Sequence, residues 1–258
     1  MKIITSNMLN GGCGKSSVVL NLSQALREQG KKVLEIDLDF NLSLTNTHRI
    51  KPQNDAMFFT AFELFTMPNL DIKKCIVNDV IPSSQNLMAI DVVLMNQQDK
   101  EYILKKALEP LKNIYDYVLI DTHNAMTITT INALSCSDMV IMPMTNDVDC
   151  VQGLKKLVAS INGIKERYNP NLKTIYCLMT MYKNTQLDKA TFDYCNKTAN
   201  DTNIKMLPII HSDVRIAKAK AFNTNVFNYC QTIAKGKDKE QTKGVADYLN
   251  VAKIICEV

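Results

Sequence analysis

Residues 9–17 read LNGGCGKSS, and this glycine-rich stretch decides how the rest of the chain is interpreted. It follows an apolar segment at residues 3–6 with the pattern of a strand, and it leads into an amphipathic helical pattern at residues 15–29. The backbone N–H groups of such a turn can converge on phosphate oxygens, and the positive end of the following helix adds to the attraction. We therefore predict a phosphate-binding loop, although Leu9 stands where the common GxxxxGK(S/T) pattern has its first glycine.

The residue types in the loop fit a nucleoside triphosphate bound with magnesium. Glycine lets the backbone approach the phosphates without a Cβ clash. Lys15 is expected to neutralise the β- and γ-phosphates, and the Ser16 hydroxyl is expected to bind the metal, so ATP and Mg²⁺ are the predicted cofactors. The predicted nucleotide-binding residues are Asn10, Gly11, Gly12, Cys13, Gly14, Lys15, Ser16 and Ser17.

Three aspartates are placed to complete this site. Asp37 closes a strand pattern at residues 32–37, Asp39 follows it, and Asp121 closes the apolar run at residues 117–121. Open parallel sheets bind ligands at their carboxyl edge, where all three aspartates would lie. A carboxylate that ends an apolar strand is the form expected of a group that orients Mg²⁺, often through a water molecule.

Composition and patterning indicate one α/β domain. The chain has 258 residues, 46% of them hydrophobic and 22% charged, which is typical of a globular protein with a sizeable core. Short strand patterns alternate with longer helical ones, and no linker or internal repeat interrupts them. We predict a single P-loop domain over residues 1–258, with a mostly parallel sheet flanked by helices on both faces.

The other predicted elements continue this alternation. Residues 223–243 carry the weakest pattern and include a lysine-rich stretch typical of an exposed loop. Further strands are expected at residues 139–143, 174–181 and 206–210, and further helices at residues 56–65, 100–112, 151–168, 187–198 and 244–256.

Several features indicate a cytoplasmic protein. No apolar run approaches the roughly 20 residues that span a bilayer, and the first residues become polar too early for a signal peptide. The eight cysteines are scattered without a CxxC pair, so we interpret them as reduced thiols.

Taken together, these motifs resemble the ParA/MinD family of deviant Walker ATPases. The resemblance covers nearly the whole chain and is most specific up to about residue 160. It is carried by residues 10–16 (NGGCGKS), 37–39 (DLD), 41–45 (NLSLT), 115–122 (YDYVLIDT), 130–134 (TINAL), 137–143 (SDMVIMP), 207–210 (LPII) and 214–219 (VRIAKA).

The resemblance implies slow ATP hydrolysis by a homodimer that forms when ATP binds. It implies two catalytic residues, with Lys15 on the phosphates and Asp39 positioning the attacking water. Ser16 would bind Mg²⁺ directly, and Asp37 and Asp121 would hold it from its outer shell. The family's dimers bind non-specific DNA or membrane, and a partner protein that carries the cargo stimulates hydrolysis.

One departure from the family pattern concerns hydrolysis. Asn10 replaces the signature lysine that reaches the nucleotide of the partner subunit, and asparagine brings no positive charge to the transition state. As a hypothesis, Lys155 or Lys156 supplies the missing cation.

Two further departures lie in the predicted switch loops. Phe40 and Asn41 replace the usual Pro-Gln, and His123 and Asn124 replace the prolines after the second magnesium aspartate. We interpret His123 as a neutral loop residue, with a contact to the γ-phosphate as the alternative.

The later part of the chain is biased towards positive charge. Phosphate contacts from lysine and arginine provide non-specific DNA binding. The apolar stripe of residues 245–258 is flanked by acids, so we expect it to pack inside the protein and expect no membrane partner. The predicted DNA-binding residues are Arg215, Lys218, Lys220, Lys235 and Lys237.

The leading prediction is a nucleoid-associated, ParA-like ATPase that acts in plasmid or chromosome partition or in cargo positioning. Its expected partners are a second copy of itself, non-specific DNA and a centromere-binding or cargo-adaptor protein. Two alternatives stay open: a nucleotide-binding regulatory module with little or no hydrolysis, and a small-molecule phosphotransferase or ligase on the same fold.

Overall fold

The computed structural model describes residues 1–50, 58–202, 204–236 and 242–258. All strands in this part of the chain belong to one parallel sheet. The strands are β1 Lys2–Ser6, β2 Val33–Leu38, β3 Val80–Ile81, β4 Tyr117–Thr122, β5 Met139–Met144, β6 Thr174–Met179 and β7 Lys205–Met206. Their order across the sheet is β3-β2-β4-β1-β5-β6-β7.

Helices connect successive strands and cover the sheet. Short 3-10 segments and one π-helical turn at Tyr229–Ile233 lie between some of them. The α-helices are α1 Lys15–Glu28, α2 Ser43–Thr47, α3 Ala61–Thr66, α4 Ile90–Val93, α5 Ile103–Leu108, α6 Ile128–Cys136, α7 Val148–Tyr168, α8 Gln186–Thr202, α9 Val214–Ala221, α10 Val226–Asn228 and α11 Lys243–Glu257.

The core residues of the strands alternate between the two faces of the sheet. On β4, Tyr117 and Leu119 join the cluster that contains α1 and α11, whereas Val118 and Ile120 join the cluster that contains α3, α5 and α6. A third cluster holds α7 and α8 against β5 and β6. Because side chains along a strand point to alternate faces, the longer strands β1, β2, β4, β5 and β6 supply apolar residues to both layers. The prediction of a parallel sheet with helices on both faces is confirmed.

The strand register places the predicted site at one level. Asp121 on β4 pairs with Ser6 of β1 on one side and with Asp37 of β2 on the other. Strand β1 lies between β4 and β5 in the sheet. The chain continues from β1 to β2 on one side of it and from β4 to β5 on its other side, so the connections beside β1 run in opposite directions. Open α/β sheets bind ligands at such a point.

Two predicted elements are shorter than the sequence pattern indicated. The helix expected at residues 100–112 is α5 flanked by 3-10 turns, and the second turn contains Pro110, which has no N–H for a helical hydrogen bond. The strand expected at residues 206–210 is the two-residue β7, because Pro208 cannot donate to the ladder. Helix α3 begins at Ala61, after a capping box formed by Thr60 and Glu63.

Part of the predicted helix at residues 56–65 lies outside the described residues, as does much of the lysine-rich stretch near residue 239. The apolar stripe of α11 is buried against α1, as expected. Among the described helices, none combines the length and the apolar character that crossing a membrane would require.

Candidate nucleotide site at the carboxyl edge of the sheet

The phosphate loop connects β1 to α1 through two residues in left-handed conformation. Gly12 has φ of 79° and Gly14 has φ of 93°, a region that favours glycine. Gly14 is the N-cap of α1, and among the described residues no side chain caps the first N–H groups of that helix. The open helix end therefore offers backbone donors and a positive dipole to an anion.

Lys15 lies over this loop in a largely buried position. Its side chain is 8% exposed, and its ammonium group donates a 3.3 Å hydrogen bond to the Asn10 carbonyl oxygen. Burial lowers the pKa of Lys15, while the charges of Asp121 and Asp39 raise it. The loop thus brings one cation next to two carboxylates, so a phosphate bound here would need a divalent cation beside it to offset the negative charge.

Asp37 is buried and fully engaged by neighbouring donors. Its carboxylate accepts hydrogen bonds from the Thr45 N–H at 2.8 Å, the Thr45 hydroxyl at 2.7 Å and the Asp39 N–H at 3.0 Å. Burial raises the pKa of Asp37 to about 6, although the hydrogen bonds from Thr45 oppose this shift. The carboxylate therefore connects the end of β2 to the start of α2.

Asp121 is equally buried, but in the part of the chain that the structure describes neither carboxylate oxygen has a well-formed hydrogen bond, and the Ser16 hydroxyl is the one donor that acts on it. Burial and the nearby Asp37 charge raise the pKa of Asp121 well above its usual range, whereas the Ser16 side chain and the Lys15 charge lower it. Buried carboxylate oxygens are normally satisfied. A hydrated Mg²⁺ ion held by Ser16 would supply the missing donors through its water molecules, so the donor set fits magnesium.

Asp39 is held at the entrance of the site. It is 8% exposed, and its Oδ1 accepts hydrogen bonds from the Asn41 N–H at 2.9 Å and from the Asn41 side-chain amide at 2.8 Å. The Ser83 hydroxyl donates to its carbonyl oxygen. The charge of Asp39 also raises the pKa of Lys15, so Asp39 lies close enough to interact with the cation of the phosphate loop.

The family of the chain follows from comparison with known proteins. A sequence profile for the family described as an AAA domain matches residues 1–174, more than half of the chain. The sporulation initiation inhibitor protein Soj of Bacillus subtilis is 28% identical over 98% of this chain and 97% of its own. The chain belongs to the ParA/MinD family of P-loop ATPases.

Solved structures of similar proteins share the fold of this family. A plasmid partition protein of Borrelia burgdorferi B31 bound to AMPPNP has a TM-score of 0.78 and 28% identity, over 99% of this chain and 98% of that one. Cobyrinic acid a,c-diamide synthase of Mycobacterium smegmatis, bound to ADP and magnesium, also has a TM-score of 0.78, with 22% identity over 100% of this chain and 94% of that one. The second comparison shows the fold alone.

Asn10, which stands where the ParA/MinD family has its signature lysine, packs against its own chain. A Cβ atom added at Gly153 on α7 would lie 2.9 Å from the Asn10 side-chain oxygen, so the two residues are in close contact. Of the two lysines considered as substitutes, Lys155 lies with its ammonium 5.9 Å from the ring centre of Tyr194 on α8, and Lys156 is exposed. The described contacts place neither ammonium at the phosphate loop of the same subunit.

The other two departures from the family pattern contact each other. The rings of Phe40 and His123 stack, with centroids 4.1 Å apart and planes inclined by 29°. Burial lowers the pKa of His123, which agrees with a neutral imidazole, and its Nδ1 has no partner among the described residues. The stack joins the loop after β2 to the loop after β4.

One expectation about the cysteines is wrong. The structure joins Cys13 of the phosphate loop to Cys150 of α7 as a disulfide, although 137 positions separate them in the sequence. Spacing could not reveal this pair, because the two residues meet only through the packing of α7 on the loop. Cys75, Cys136, Cys177 and Cys195 are buried free thiols, as expected.

Sequence reasoning missed a cavity beside the phosphate loop. Its volume is about 280 Å³, and it begins at Gly14 and Ser17 and extends past the ends of β6 and β7. Polar residues after each of these strands were the available signal, since strand ends share this edge of the sheet. The other lining residues are Thr180, Met181, Lys183, Ile210, His211, Ser212, Asp213, Ile216, Ala217, Lys220 and Tyr248.

The predicted DNA-binding residues occupy two places. Arg215, Lys218 and Lys220 lie on α9, where the two lysines are exposed and Arg215 is half-buried, 3.9 Å from Asp213. Lys235 is exposed after the π-helical turn, and Lys237 lies outside the described residues. Helix α9 also lines the cavity through Ile216, Ala217 and Lys220, so its cations adjoin the nucleotide site.

Proposed function

We propose that this protein is a cytoplasmic, nucleoid-associated ATPase that acts as an ATP-gated dimeric switch. In this proposal, ATP with Mg²⁺ binds the phosphate loop, two copies associate, and the dimer holds non-specific DNA. A centromere-binding or cargo-adaptor protein then stimulates slow hydrolysis and releases the dimer. The purpose is plasmid or chromosome partition, or the positioning of another cargo.

The observation that carries this proposal is the buried Asp121 carboxylate beside Lys15 and Ser16, whose oxygens have no well-formed hydrogen bond among the described residues. A buried carboxylate without donors is costly unless a ligand completes its interactions. The Asp121 carboxylate lies at the level of the sheet where Asp121 pairs with Ser6 on β1 and with Asp37 on β2. A nucleotide bound with magnesium is the ligand that would interact with Lys15, Ser16 and Asp121 together.

We assign the phosphate-binding role to the N–H groups at the start of α1 and to the Lys15 ammonium. Ser16 would bind Mg²⁺, and Asp37 and Asp121 would hold its water molecules. The metal supplies charge neutralisation to the phosphates when it is bound. Similarity to the Borrelia partition protein solved with AMPPNP supports the nucleotide, and the oxygen donors of Ser16, Asp37 and Asp121 support magnesium. The cavity that begins at Gly14 has room for the base of the nucleotide.

The proposed role of Asp39 is to orient the attacking water. Asn41 fixes one carboxylate oxygen through two hydrogen bonds, so the other oxygen has a defined direction. Orientation of the nucleophile is a large part of phosphoryl-transfer catalysis. Lys15 would stabilise the charge that develops on the transferred group.

The proposed DNA surface is centred on α9. Its lysines are exposed on a helix that also lines the cavity next to the phosphate loop, so nucleotide binding can bias the position of the helix. Lysine and arginine contacts to phosphates are independent of sequence, and they weaken as the salt concentration rises because the release of counterions into the solution becomes less favourable. Similarity to Soj and to the Borrelia partition protein supports this use of the family fold.

The test is ATP turnover of the purified protein with and without duplex DNA of arbitrary sequence, beside Lys15→Ala and Asp39→Ala. Low turnover that DNA raises, and that both substitutions abolish, is the expected result. Lys15→Ala should also lose ATP binding, whereas Asp39→Ala should retain it. Fast turnover that ignores DNA would contradict the proposal and indicate a metabolic phosphotransferase or ligase.

A second candidate function is a regulatory nucleotide-binding module with little hydrolysis. The contact between Asn10 and Gly153 favours it, because the residue at the signature position is held within its own subunit and carries no charge. Tight ATP binding without turnover, in the presence of DNA, would favour this module. Restoring turnover with Asn10→Lys would identify the missing charge as the cause.

A further inference from the structure

The Cys13–Cys150 pair joins the phosphate loop to a helix that belongs to a different part of the fold. Cys13 lies between Gly12 and Gly14, and Cys150 lies in the first turn of α7. Each residue is 1% exposed. The proposed nucleotide chemistry uses neither sulfur atom, so the placement of two thiols at this contact is unexplained by that function.

The surroundings hold both cysteines in place. The Thr180 hydroxyl donates to the Cys13 carbonyl oxygen at 2.9 Å and lies 3.1 Å from the Met144 carbonyl oxygen, which fixes the loop to the ends of β5 and β6. One turn after Cys150, Gly153 contacts the Asn10 side chain. Two turns of α7 therefore lie directly against the loop that is to bind phosphate.

We propose that Cys13 and Cys150 are a reversible oxidation site, and that their disulfide weakens ATP binding by tying the phosphate loop to α7. This inference adds redox control to the proposed nucleotide site. Disulfides of cytoplasmic proteins are mostly transient and regulatory, which agrees with a pair placed at a functional loop.

The chemistry requires a small two-electron oxidant, for which hydrogen peroxide is suitable because the pair is buried. Cys13 lies at the positive end of α1 and two positions before Lys15, so we assign the attacking sulfur to it. Its sulfur attacks one peroxide oxygen, which breaks the O–O bond and releases hydroxide, and Cys13 becomes a sulfenic acid. The Cys150 sulfur then displaces water from it, so two thiols and one peroxide give one disulfide and two water molecules.

The consequence for the loop follows from the covalent link itself. With the bond formed, the Cys13 backbone is held to the first turn of α7. That backbone lies next to the N–H groups expected to bind phosphate, so the link keeps those groups from adjusting to the geometry that hydrogen bonds to phosphate require.

A second pair of neighbouring thiols provides a matched control. Cys177 on β6 and Cys195 on α8 are buried, and their side chains are hydrogen-bonded to each other. They pack in the same apolar cluster as Cys13 and Cys150. Neither residue belongs to the phosphate loop or lines the adjoining cavity.

The experiment starts from fully reduced, full-length protein treated with hydrogen peroxide. Peptide mapping by mass spectrometry identifies the bonds formed, and a fluorescent ATP analogue reports affinity before and after treatment with dithiothreitol. The variants are Cys150→Ser and Cys150→Ala, with Cys195→Ser as the control, each checked for folding by circular dichroism. We expect a linked Cys13–Cys150 peptide and roughly tenfold weaker binding, ~1.4 kcal/mol, that dithiothreitol reverses.

Both Cys150 variants should bind the analogue as the reduced protein does and be insensitive to peroxide, whereas Cys195→Ser should remain sensitive. Absence of the linked peptide would overturn the proposal. So would a linked peptide with unchanged affinity, or a loss of affinity that persists in the Cys150 variants. Failure of the reduced protein to bind the analogue would contradict the proposed function, while the peptide map would still report on the disulfide.

Discussion

The ends of β2 and β4 carry the same residue at the same level of the sheet, but their surroundings differ. Asp37 accepts three hydrogen bonds, two of them from Thr45, whereas Asp121 has no well-formed one within the described structure. Both side chains are fully buried. Burial raises the pKa of each carboxyl, and it does so more strongly for Asp121.

Asp37 is therefore a carboxylate that the protein itself holds in position, whereas Asp121 is the one whose interactions we propose a ligand completes. The donors on Asp37 fix the start of α2 and so link the end of β2 to the predicted switch loop that holds Phe40 and Asn41. Asp121 receives no comparable support, and its unpaired oxygens lower the stability of the nucleotide-free protein. Ligand binding is therefore expected to stabilise the β4 end more than the β2 end.

Asp121→Asn is expected to have the largest effect. The amide cannot ionise, so its burial avoids the desolvation of a charge, and the nucleotide-free protein should melt a few degrees higher. Loss of the carboxylate should lower Mg²⁺-dependent ATP turnover about 100-fold, ~2.7 kcal/mol. Calorimetry and a phosphate-release assay measure the two effects. A variant that melts lower and turns over ATP normally would show that Asp121 is a structural residue.

Thr45→Val tests the comparison at Asp37, because it removes the hydroxyl donor from that carboxylate. A hydrogen bond to a charged group contributes about 1.5–3 kcal/mol, so we expect a loss of that size in the free energy of unfolding. Turnover should fall about tenfold as the switch region loses its anchor. Urea denaturation and steady-state kinetics measure these quantities.

Thr47→Val is the matched control for Thr45→Val. The Thr47 hydroxyl donates to the Ser43 carbonyl oxygen within α2 and does not contact Asp37. Its substitution should change turnover less than twofold, an effect below ~0.5 kcal/mol. Equal losses in the two variants would mean that α2 stability, and not the support of Asp37, controls activity.

The pH dependence of stability sharpens the comparison for Asp37. Its pKa of about 6 lies above the unfolded value, which is about 3.9. The folded state therefore binds the proton more tightly, and the associated stability is present at low pH and lost as pH rises through 6. Between pH 5.5 and 7.5, the wild type should lose about 1 kcal/mol more than Asp37→Asn does. Parallel curves from urea denaturation would rule out this titration.

Disrupting the Phe40–His123 stack is expected to have the smallest effect. The stack links the loops after β2 and β4 through a contact between two rings, and not through the carboxylates of Asp37 and Asp121. An aromatic pair of this geometry contributes about 0.5–1.5 kcal/mol beyond the burial of area. A double-mutant cycle with Phe40→Ala and His123→Ala should recover a coupling of that size in the free energy of unfolding. Strictly additive losses would show that the loops after β2 and β4 are independent.

Much of this comparison could be predicted from local sequence. Asp37 and Asp121 each follow an apolar run, and parallel strands of similar length end at one edge, so their proximity follows from pattern alone. Their different partners could not be predicted in this way. Thr45 reaches Asp37 only because Leu42 adopts a left-handed conformation and starts α2 at the correct angle.

The same limit applies to the residues around the signature position. The sequence shows that Asn10 lacks a charge, but its contact with Gly153 depends on how α7 returns to the phosphate loop. The position of Lys155 near the ring of Tyr194 likewise depends on the packing of α7 on α8, and its proposed role towards a second subunit stays a prediction. Side-chain direction on a helix is decided by the neighbouring elements as much as by spacing.

The sequence by itself determined the parallel sheet, the phosphate loop and the aspartates at its edge, because periodicity, glycine placement and strand ends are local properties. Tertiary structure alone decided which carboxylate has donors, which ring stacks on His123, and which cysteine meets Cys13. Those contacts join residues that are distant in sequence, and they arise from the angles at which helices pack on a twisted sheet. No local pattern encodes these angles, so the partners become visible only when the chain is folded.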